Sequence, residues 1–291
     1  MDPTFIQAII NGVLLGGIYT CISIGLSFAF GVMHIINVAQ GEFVMLGAFI
    51  AYWVCFFTGI DPLFTFPLTF CIFFVVGYLT QKFLVTRIMG APALMSLVLF
   101  FGFSILLSNI ALMAWSPITR IVTTPLSGAK ISIGEISIPI ARLWAFIIAS
   151  LSVYALFLFL QKTRTGLAIM ASSEIIGDRE AAMLMGIDVK KIHAITLGLG
   201  IGTAAMAGAL VSSIASISPS MGSIYTLFAF FITVLGGMGY LPGTLVGGVL
   251  LGITQSFVIT YYNINVVYFV LFLILYLVLI FRPRGIFGKG V

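Results

Sequence analysis

Charged side chains are scarce in this chain. Asp and Glu supply 8 of its 291 residues and Lys and Arg supply 13, so that 7% are charged and 61% are hydrophobic. Soluble domains carry about 25% charged residues, and no soluble fold could bury this much apolar surface. The composition therefore excludes a soluble globular protein and indicates that the solvent is lipid.

Residues that carry chemistry in other protein classes are also few or scattered. The net charge of +5 is spread over several loops and forms no basic face, which argues against a nucleic acid partner. The three cysteines lie inside apolar runs and the two histidines are far apart, so neither disulfide nor metal-ligand spacing is present. No nucleophile signature or phosphate-binding Gly-Lys-Ser/Thr motif occurs. The sequence predicts a non-catalytic chain without a metal or cofactor of its own, which cannot hydrolyse ATP alone.

Long apolar runs dominate what is present. Several approach the roughly 20 residues that a helix needs to cross a bilayer, and they lack the alternation of membrane strands. Some are short or interrupted by glycine, which is typical of broken or re-entrant helices. We predict an all-α integral membrane protein, a single domain over 1–291 with about 8–10 spans, the number near 31–42 being open. The candidate spans are 5–30, 43–57, 63–81, 93–114, 143–160, 194–214, 224–238, 243–260 and 264–281.

The distribution of Lys and Arg predicts the orientation. If the spans are correct, ten of these residues fall on one side and three on the other, and cytoplasmic loops carry the excess. The N-terminus is then outside and the C-terminus is cytoplasmic. The cytoplasmic set is Lys82, Arg87, Lys162, Arg164, Arg179, Lys190, Lys191, Arg282, Arg284 and Lys289, and the external set is Arg120, Lys130 and Arg142.

The external segment 115–142, the lip, has a pattern of its own. Ile and Ser alternate over 131–138 and flank Gly134-Glu135, which predicts a small β-hairpin. A plain solvated connector is the alternative. If the segment is functional, it is a docking surface for a soluble partner outside the membrane.

A polar stretch, 36–42, interrupts the apolar sequence near the end of the first span. Asn37, Gln40 and Glu42 are costly at membrane depth unless they face water or one another. In a helix, Asn37, Gln40 and Gly41 would share a face. They either line the substrate path or hydrogen-bond between helices as packing. Glu42 has a further alternative, which is to extend to the cytoplasmic interface.

The longest charged loop, 161–193, predicts a short helix on the cytoplasmic side. Asp178 is placed to cap a helix that begins at Arg179, and Glu180 falls in its first turn, where negative charge is favoured. Ala181 and Ala182 are good helix formers, the next residues give the helix a Met-rich face, and Gly186 ends it. So short a helix needs a groove in its own bundle or in a partner.

A Gly-rich segment, 236–243, lies between two spans and is too unlike a phosphate loop to bind nucleotide. Its glycines predict close helix packing or a tight cytoplasmic reversal, with lining of the gate as the alternative. They are Gly236, Gly237, Gly239 and Gly243.

Two sets of motifs carry a family resemblance. Glu180-Ala181-Ala182-x-x-x-Gly186 resembles the loop by which ABC importer permeases contact their ATPases, although the usual Ile-x-Leu-Pro continuation is absent at 194–197. The longer motifs, in the same order over about 10–285, resemble the LivH-type permease of branched-chain amino acid ABC importers; Gln40 stands where that family usually has His. These motifs are Gly25-Leu26-Ser27, Gly31-Val32-Met33, Ile36 to Glu42, Leu46-Gly47-Ala48 and Gly236 to Gly243.

The resemblance implies a multi-pass permease of the bacterial inner membrane that moves a small solute, foremost a hydrophobic amino acid. It implies four partners: a second, LivM-like permease, two cytoplasmic ATPases that use the ATP, and a periplasmic solute-binding protein. Asp178 to Ala182 and Gly186 are then the ATPase-coupling residues. The alternative is a stand-alone secondary transporter or channel for a small neutral solute such as urea or an amide. The near absence of intramembrane acids other than Glu42 disfavours ion coupling but not a channel.

Overall fold

The fold is almost entirely helical. The computed structural model describes residues 3–89, 93–133, 135–173, 177–283 and 285–288. Two short 3₁₀ turns, Pro62–Thr65 and Val85–Arg87, flank the third helix. The helices are α1 Pro3–Met33, α2 Gln40–Thr58, α3 Phe66–Phe83, α4 Ala93–Trp115, α5 Pro125–Gly128, α6 Ile140–Lys162, α7 Arg164–Ala171, α8 Arg179–Leu184, α9 Val189–Ser212, α10 Met221–Gly236, α11 Leu241–Tyr261 and α12 Ile264–Phe281, and the strands are β1 Lys130–Ile133 and β2 Ile136–Pro139.

The predicted spans coincide with the long apolar helices. Seven helices in the described residues are long and apolar enough to cross a membrane, and α10 and α12 are apolar but shorter by that measure. At 1.5 Å per residue, the 16 residues of α10 extend about 24 Å, less than the roughly 30 Å of a hydrocarbon core. Helix α9 begins five residues before the predicted span, because the Asp188 carboxylate accepts a hydrogen bond from Lys191 N.

Helix α9 forms the centre of the bundle. Almost all residues in the apolar part of this helix are buried, and the helix packs against α1, α2 and α3. Helix α4 is the opposite case, with little of its surface buried. A helix that is apolar on all sides and buried, such as α9, belongs to the core. Because α4 packs against few residues, it leaves one flank of the bundle open.

Helices α1 and α11 make an antiparallel contact through glycine. Gly12 and Gly16 on α1 face Gly252 and Gly248 on α11, each pair four residues apart. Such spacing lets two backbones approach closely in lipid, where dispersion rather than the hydrophobic effect holds helices together. The pairing was not among the sequence-based predictions.

The chain breaks between α1 and α2 inside the bundle. Residues 34–39 are not helical, and His34 has a φ of +50°. The Gln40 amide donates to Ile22 O, eleven residues before the end of α1. Between the end of α1 and the start of α2, the chain therefore runs back alongside α1 over a distance of about 10 Å. The predicted broken, re-entrant segment is present, and its backbone is protected by protein, as irregular backbone at membrane depth must be.

The lip contains the predicted hairpin. Strands β1 and β2 are antiparallel, with Ile131 opposite Ile138 and Ser132 opposite Ser137; Gly134 lies outside the described residues. The Gln7 side chain donates to Ser137 O at 2.8 Å and accepts from Ser137 N at 2.9 Å. The hairpin is thereby attached to the N-terminal turns of α1, and we name this side of the bundle the hairpin end.

The segment 161–193 is more ordered than the predicted loop with a single helix. It contains the end of α6, all of α7 and α8 and the first turn of α9, with residues 174–176 outside the described part. Because α6 starts at the hairpin and ends at this segment, the two lie at opposite ends of the bundle. We name this second side the α8 end.

Candidate functional site

The polar stretch forms a hydrogen-bonded junction in the middle of the bundle. Asn37 Nδ2 donates to Gln40 Oε1 at 3.0 Å, and Asn37 Oδ1 accepts from Ala39 N at 3.1 Å. Gln40 Nε2 in turn donates to Ile22 O at 3.1 Å and to Gly200 O at 3.3 Å. The two amides thus connect the re-entrant turn to α1 and α9.

The N-terminus of α2 is capped by another helix. Gly41 N donates to Thr226 Oγ1 at 2.9 Å, and the same hydroxyl donates to Val38 O at 3.2 Å. The first turn of a helix leaves N–H groups without intrahelical partners, so Thr226 of α10 satisfies one of them. An added Cβ at Gly41 would collide with Gly222 O and Thr226, which is why this position requires glycine.

Glu42 is a carboxyl group buried at membrane depth. It is 3% exposed, and Oε1 accepts from Ser104 Oγ of α4 at 3.3 Å. Oε2 has no hydrogen-bond partner in the described part of the chain and packs against Gly222 in the first turn of α10. Burying a carboxylate costs several kcal/mol, of which the positive ends of α2 and α10 offset only a part, each by about 0.3–1 kcal/mol.

Beside this junction lies a lateral cleft of about 550 Å³ between α4 and the pair α10 and α12. Its polar lining consists of Ser104, Ser223 and Thr226, and the remainder is mainly aromatic and aliphatic. Volumes of 300–1,000 Å³ with a few polar groups in an apolar lining are typical of small-molecule sites. The lining is Val38, Phe101, Ser104, Ser223, Thr226, Leu227, Phe230, Phe231, Val234, Leu271, Phe272 and Leu275.

Two of the possibilities raised for the polar stretch are not realised. Asn37 and Gln40 do not share a helical face, because residues 34–39 form a turn in which the Asn37 side chain takes the Ala39 N–H away from a helical ladder. Glu42 does not extend to an interface, since it is buried between α4 and α10. The predicted residues nevertheless come together, through hydrogen bonds rather than through helical periodicity.

The second predicted site, α8, has the expected local structure. Asp178 Oδ1 accepts from Glu180 N at 2.8 Å and from Ala181 N at 3.2 Å, and Gly186 has a φ of +82°. Ala182 is buried against the protein, while Leu184 and Met185 are 88% and 84% exposed. Arg179 lies in the first turn. A capped helix thus presents large apolar side chains away from the bundle.

A hydrogen bond joins the chain just after α7 to the last turn of α1. Ser173 Oγ donates to Gly31 O near the end of α1 at 2.7 Å. Gly31 also packs against Gly239 of the Gly-rich turn. The chain just after α7 is therefore hydrogen-bonded to the end of α1, which leads into the polar junction.

The Gly-rich segment makes the predicted tight reversal. Helix α10 ends at Gly236 and α11 begins at Leu241, with Gly237 and Gly239 at φ values of +97° and +80°. The backbones of Gly236 and Gly243 are in contact across the turn, so neither position can accept a side chain without displacing a helix.

Sequence reasoning missed several residues of the junction. Ser104, Gly222 and Thr226 lie 62 or more positions from Glu42 in the chain, and each looks like an ordinary small residue in an apolar helix. Arg120 of the lip was also missed: its guanidinium lies over the rings of Tyr52 and Trp53, 5.2 and 5.1 Å from the centroids. No sequence pattern distinguishes these residues, because they meet only when distant helices pack.

Comparison with known proteins is consistent with this architecture. A family described as "Branched-chain amino acid transport system / permease component" matches residues 8–280. The chain is 30% identical, over 98% of its length and 96% of theirs, to the high-affinity branched-chain amino acid transport permease proteins BraD of Pseudomonas aeruginosa and LivH of Escherichia coli. It is 29% identical to a probable LivH protein of Methanocaldococcus jannaschii, over 87% of this chain and 80% of that one.

No solved structure matches the chain. The family match covers almost all of the helical bundle, from α1 to α12, including the polar junction, the cleft and α8. The chain belongs to the permease components of branched-chain amino acid transport systems, as a multi-pass helical membrane protein.

Proposed function

We propose that this chain is the permease subunit of an ABC importer that moves branched-chain or other hydrophobic amino acids from a periplasmic binding protein into the cytoplasm. The observation that carries the proposal is the match of residues 8–280 to permease components of branched-chain amino acid transport systems. The exposed, capped helix α8 supports it, because apolar side chains directed away from a bundle mark a docking surface.

The partner ATPases supply the energy in this proposal. Helix α8, with Leu184 and Met185 outermost, enters a groove of an ATPase, and one ATPase serves each of two permeases. Asp178 keeps the helix formed, and Gly186 lets the chain turn directly after it. Closure of the ATPases displaces the 174–191 segment, and the contact of Ser173 with Gly31 passes the displacement to α1.

The substrate path runs along the cleft and the polar junction. The cleft is open on the flank where α4 packs sparsely, so a companion permease, the LivM-like chain, completes its wall. Asn37, Gln40, Gly41 and Glu42 lie next to the path and fix the geometry of α2 against α1, α9 and α10. The Gly-rich turn forms the cytoplasmic limit of the path.

The binding protein docks at the hairpin end, on the lip 115–142. The Lys and Arg distribution supports this assignment, because it predicts that the hairpin end is outside with the N-terminus and that the α8 end is cytoplasmic with the C-terminus. The lip is attached to the bundle by Gln7 and by a backbone pair between Arg120 and Ile217 at 2.8 Å. These hydrogen bonds fix the position of the lip on the bundle, so that a protein docked on the lip has a fixed position relative to the helices.

The test is purification of the tagged chain in mild detergent at native expression, followed by mass spectrometry and leucine uptake in proteoliposomes. We expect a second permease and ATPase subunits to co-purify, and uptake to require ATP and the binding protein. A chain that purifies alone and still moves solute would be a solitary carrier or channel and would refute the proposal.

A matched pair of variants tests the α8 contact. Leu184→Ala removes the most exposed apolar side chain of α8, whereas Leu94→Ala makes the same change at the first turn of α4, where Leu94 is 72% exposed at the same end of the bundle. We expect the first variant to lose ATPase subunits on purification and the second to keep them. Equal retention would remove α8 from the coupling interface.

A further inference from the structure

One carboxylate oxygen of Glu42 is buried without a hydrogen-bond partner in the described residues. The side chain is 3% exposed, and the oxygen without a partner is Oε2. A buried charge is expected to be paired or hydrogen-bonded. Ser104 provides only one hydroxyl, to the other oxygen, at 3.3 Å. The site therefore has one acceptor oxygen left over for a hydrogen-bond donor.

The surroundings of Glu42 keep this oxygen in place. Gly222 allows the carboxylate to lie against the first turn of α10, where a Cβ would collide with both oxygens. Gly41, the preceding residue, is held by Thr226 at 2.9 Å. Both helices that border the carboxylate are thus fixed at close range, and a positioned group of this kind is suited to recognise a ligand.

The carboxylate lies next to the cleft through Ser104. That side chain lines the cleft while its hydroxyl donates to Glu42, which leaves the hydroxyl lone pairs free to accept hydrogen bonds. Ser223 supplies a second hydroxyl to the same lining. An ammonium group, which only donates, matches such a set of acceptors.

The other walls of the cleft suit an aliphatic side chain. Phe101 of α4, Phe230 of α10 and Leu271 of α12 line the same cleft as these hydroxyl groups. An α-amino acid with a branched side chain carries an ammonium group and a carboxylate on its α-carbon, next to an apolar side chain. The cleft lining therefore offers hydrogen-bond acceptors for the ammonium group and apolar contacts for the side chain.

We propose that Glu42, acting with Ser104, binds the α-ammonium group of the transported amino acid while the cleft walls contact its side chain. The inference rests on the proposed function and adds the chemical group that the path recognises. Glu42 is then a substrate-binding residue of the path rather than a packing residue.

The experiment uses the whole complex in proteoliposomes, with ATP inside and leucine-loaded binding protein outside. Leucine uptake and ATP hydrolysis are measured together for wild type, Glu42→Gln and Ser104→Ala. We expect Glu42→Gln to lower leucine moved per ATP hydrolysed at least tenfold, and Ser104→Ala to lower it less, because the charge remains. ATP hydrolysis stimulated by the loaded binding protein should persist in both.

Two variants serve as matched controls. Ser108→Ala removes a hydroxyl one turn further along α4, outside the cleft lining. Asp61→Asn neutralises an acid whose cap to Leu63 N, at 2.9 Å, asparagine also makes. We expect both to transport leucine within twofold of wild type.

Three results would overturn the inference. Uptake by Glu42→Gln equal to wild type would show that the carboxylate is not needed by the substrate. A proportional fall of uptake and ATP hydrolysis would make Glu42 a structural residue. Loss of the companion permease from purified Glu42→Gln would mean that the carboxylate pairs with a cation of that subunit instead. Failure of the wild-type complex to move leucine would refute the proposed function itself, and this outcome is separable because it involves no variant.

Discussion

Replacing Gly16 by alanine tests whether glycine holds the α1–α11 contact together. An added Cβ at Gly16 would lie 2.7 Å from Val249 Cα, and one at Gly12 would lie 2.6 Å from Ile253 Cα. Carbon atoms prefer separations of about 3.5–4.0 Å. The helices must therefore move apart by roughly 1 Å, and because the neighbouring atoms are backbone, no side-chain rotation relieves the clash.

The expected cost follows from two opposing effects. Overpacking of this kind costs about 1–3 kcal/mol, while alanine gains about 0.8–1.0 kcal/mol over glycine in helix propensity. The net loss of stability is then up to about 2 kcal/mol, a factor of as much as roughly 30 in the folded-to-unfolded ratio. Gly102 of α4 is the control, because an added Cβ there meets nothing within 4 Å. Gly102→Ala should show the propensity gain alone.

The assay is unfolding in mixed detergent micelles by increasing SDS, monitored by tryptophan fluorescence. We expect Gly16→Ala to unfold at a lower SDS fraction than wild type and Gly102→Ala at an equal or higher one, with about 1–3 kcal/mol between the two variants. If both variants shift by the same amount and in the same direction, close backbone contact between α1 and α11 contributes nothing to stability, and the reasoning is refuted.

Three further predictions concern the polar junction and α8. Asp178→Ala removes the cap of α8 and should cost that helix about 1 kcal/mol, seen as faster hydrogen exchange at 179–184 with overall stability unchanged; unchanged exchange would contradict the capping role. Gly186→Ala places a Cβ at φ +82°, where it has no steric neighbour, so the backbone strain alone should cost about 1–2 kcal/mol. We expect local fraying of α8 and weaker coupling of ATP hydrolysis to uptake; coupling equal to wild type would contradict a role of this turn in coupling. Asn37→Ala leaves Gln40 Oε1 without its donor at a cost of about 1–3 kcal/mol, and should impair uptake with the complex still assembled; unaltered uptake would exclude Asn37 from the path.

The helical elements could be predicted because their causes are local. Apolar runs near membrane length predicted the long helices, and Asp178 followed by good helix formers up to Gly186 predicted α8 with its cap and its left-handed end. Alternating Ile and Ser predicted the hairpin for the same reason. Each of these patterns is satisfied within a few neighbouring residues.

The interior of the bundle could not be predicted in this way. Whether Glu42 faces an interface or the protein interior depends on Ser104 and Gly222, which approach it from α4 and α10. The turn at Asn37 depends likewise on Gln40 reaching Ile22 and Gly200. A single sequence gives no measure of which distant helices touch.

The sequence by itself determined that this protein lies in a membrane as a helical bundle, because the scarcity of charge and the length of the apolar runs leave no other solvent or secondary structure. It also identified the polar stretch and the α8 segment, since polar groups are costly at membrane depth wherever they occur. Only the tertiary structure decided what those groups contact. It placed Glu42 beside a cleft with one oxygen unpartnered. It also brought Asn37 and Gln40 into a hydrogen-bonded pair that links α1 to α9. The physical reason is that hydrogen bonds and close glycine contacts act over about 3–4 Å, a distance that packing sets and chain order does not.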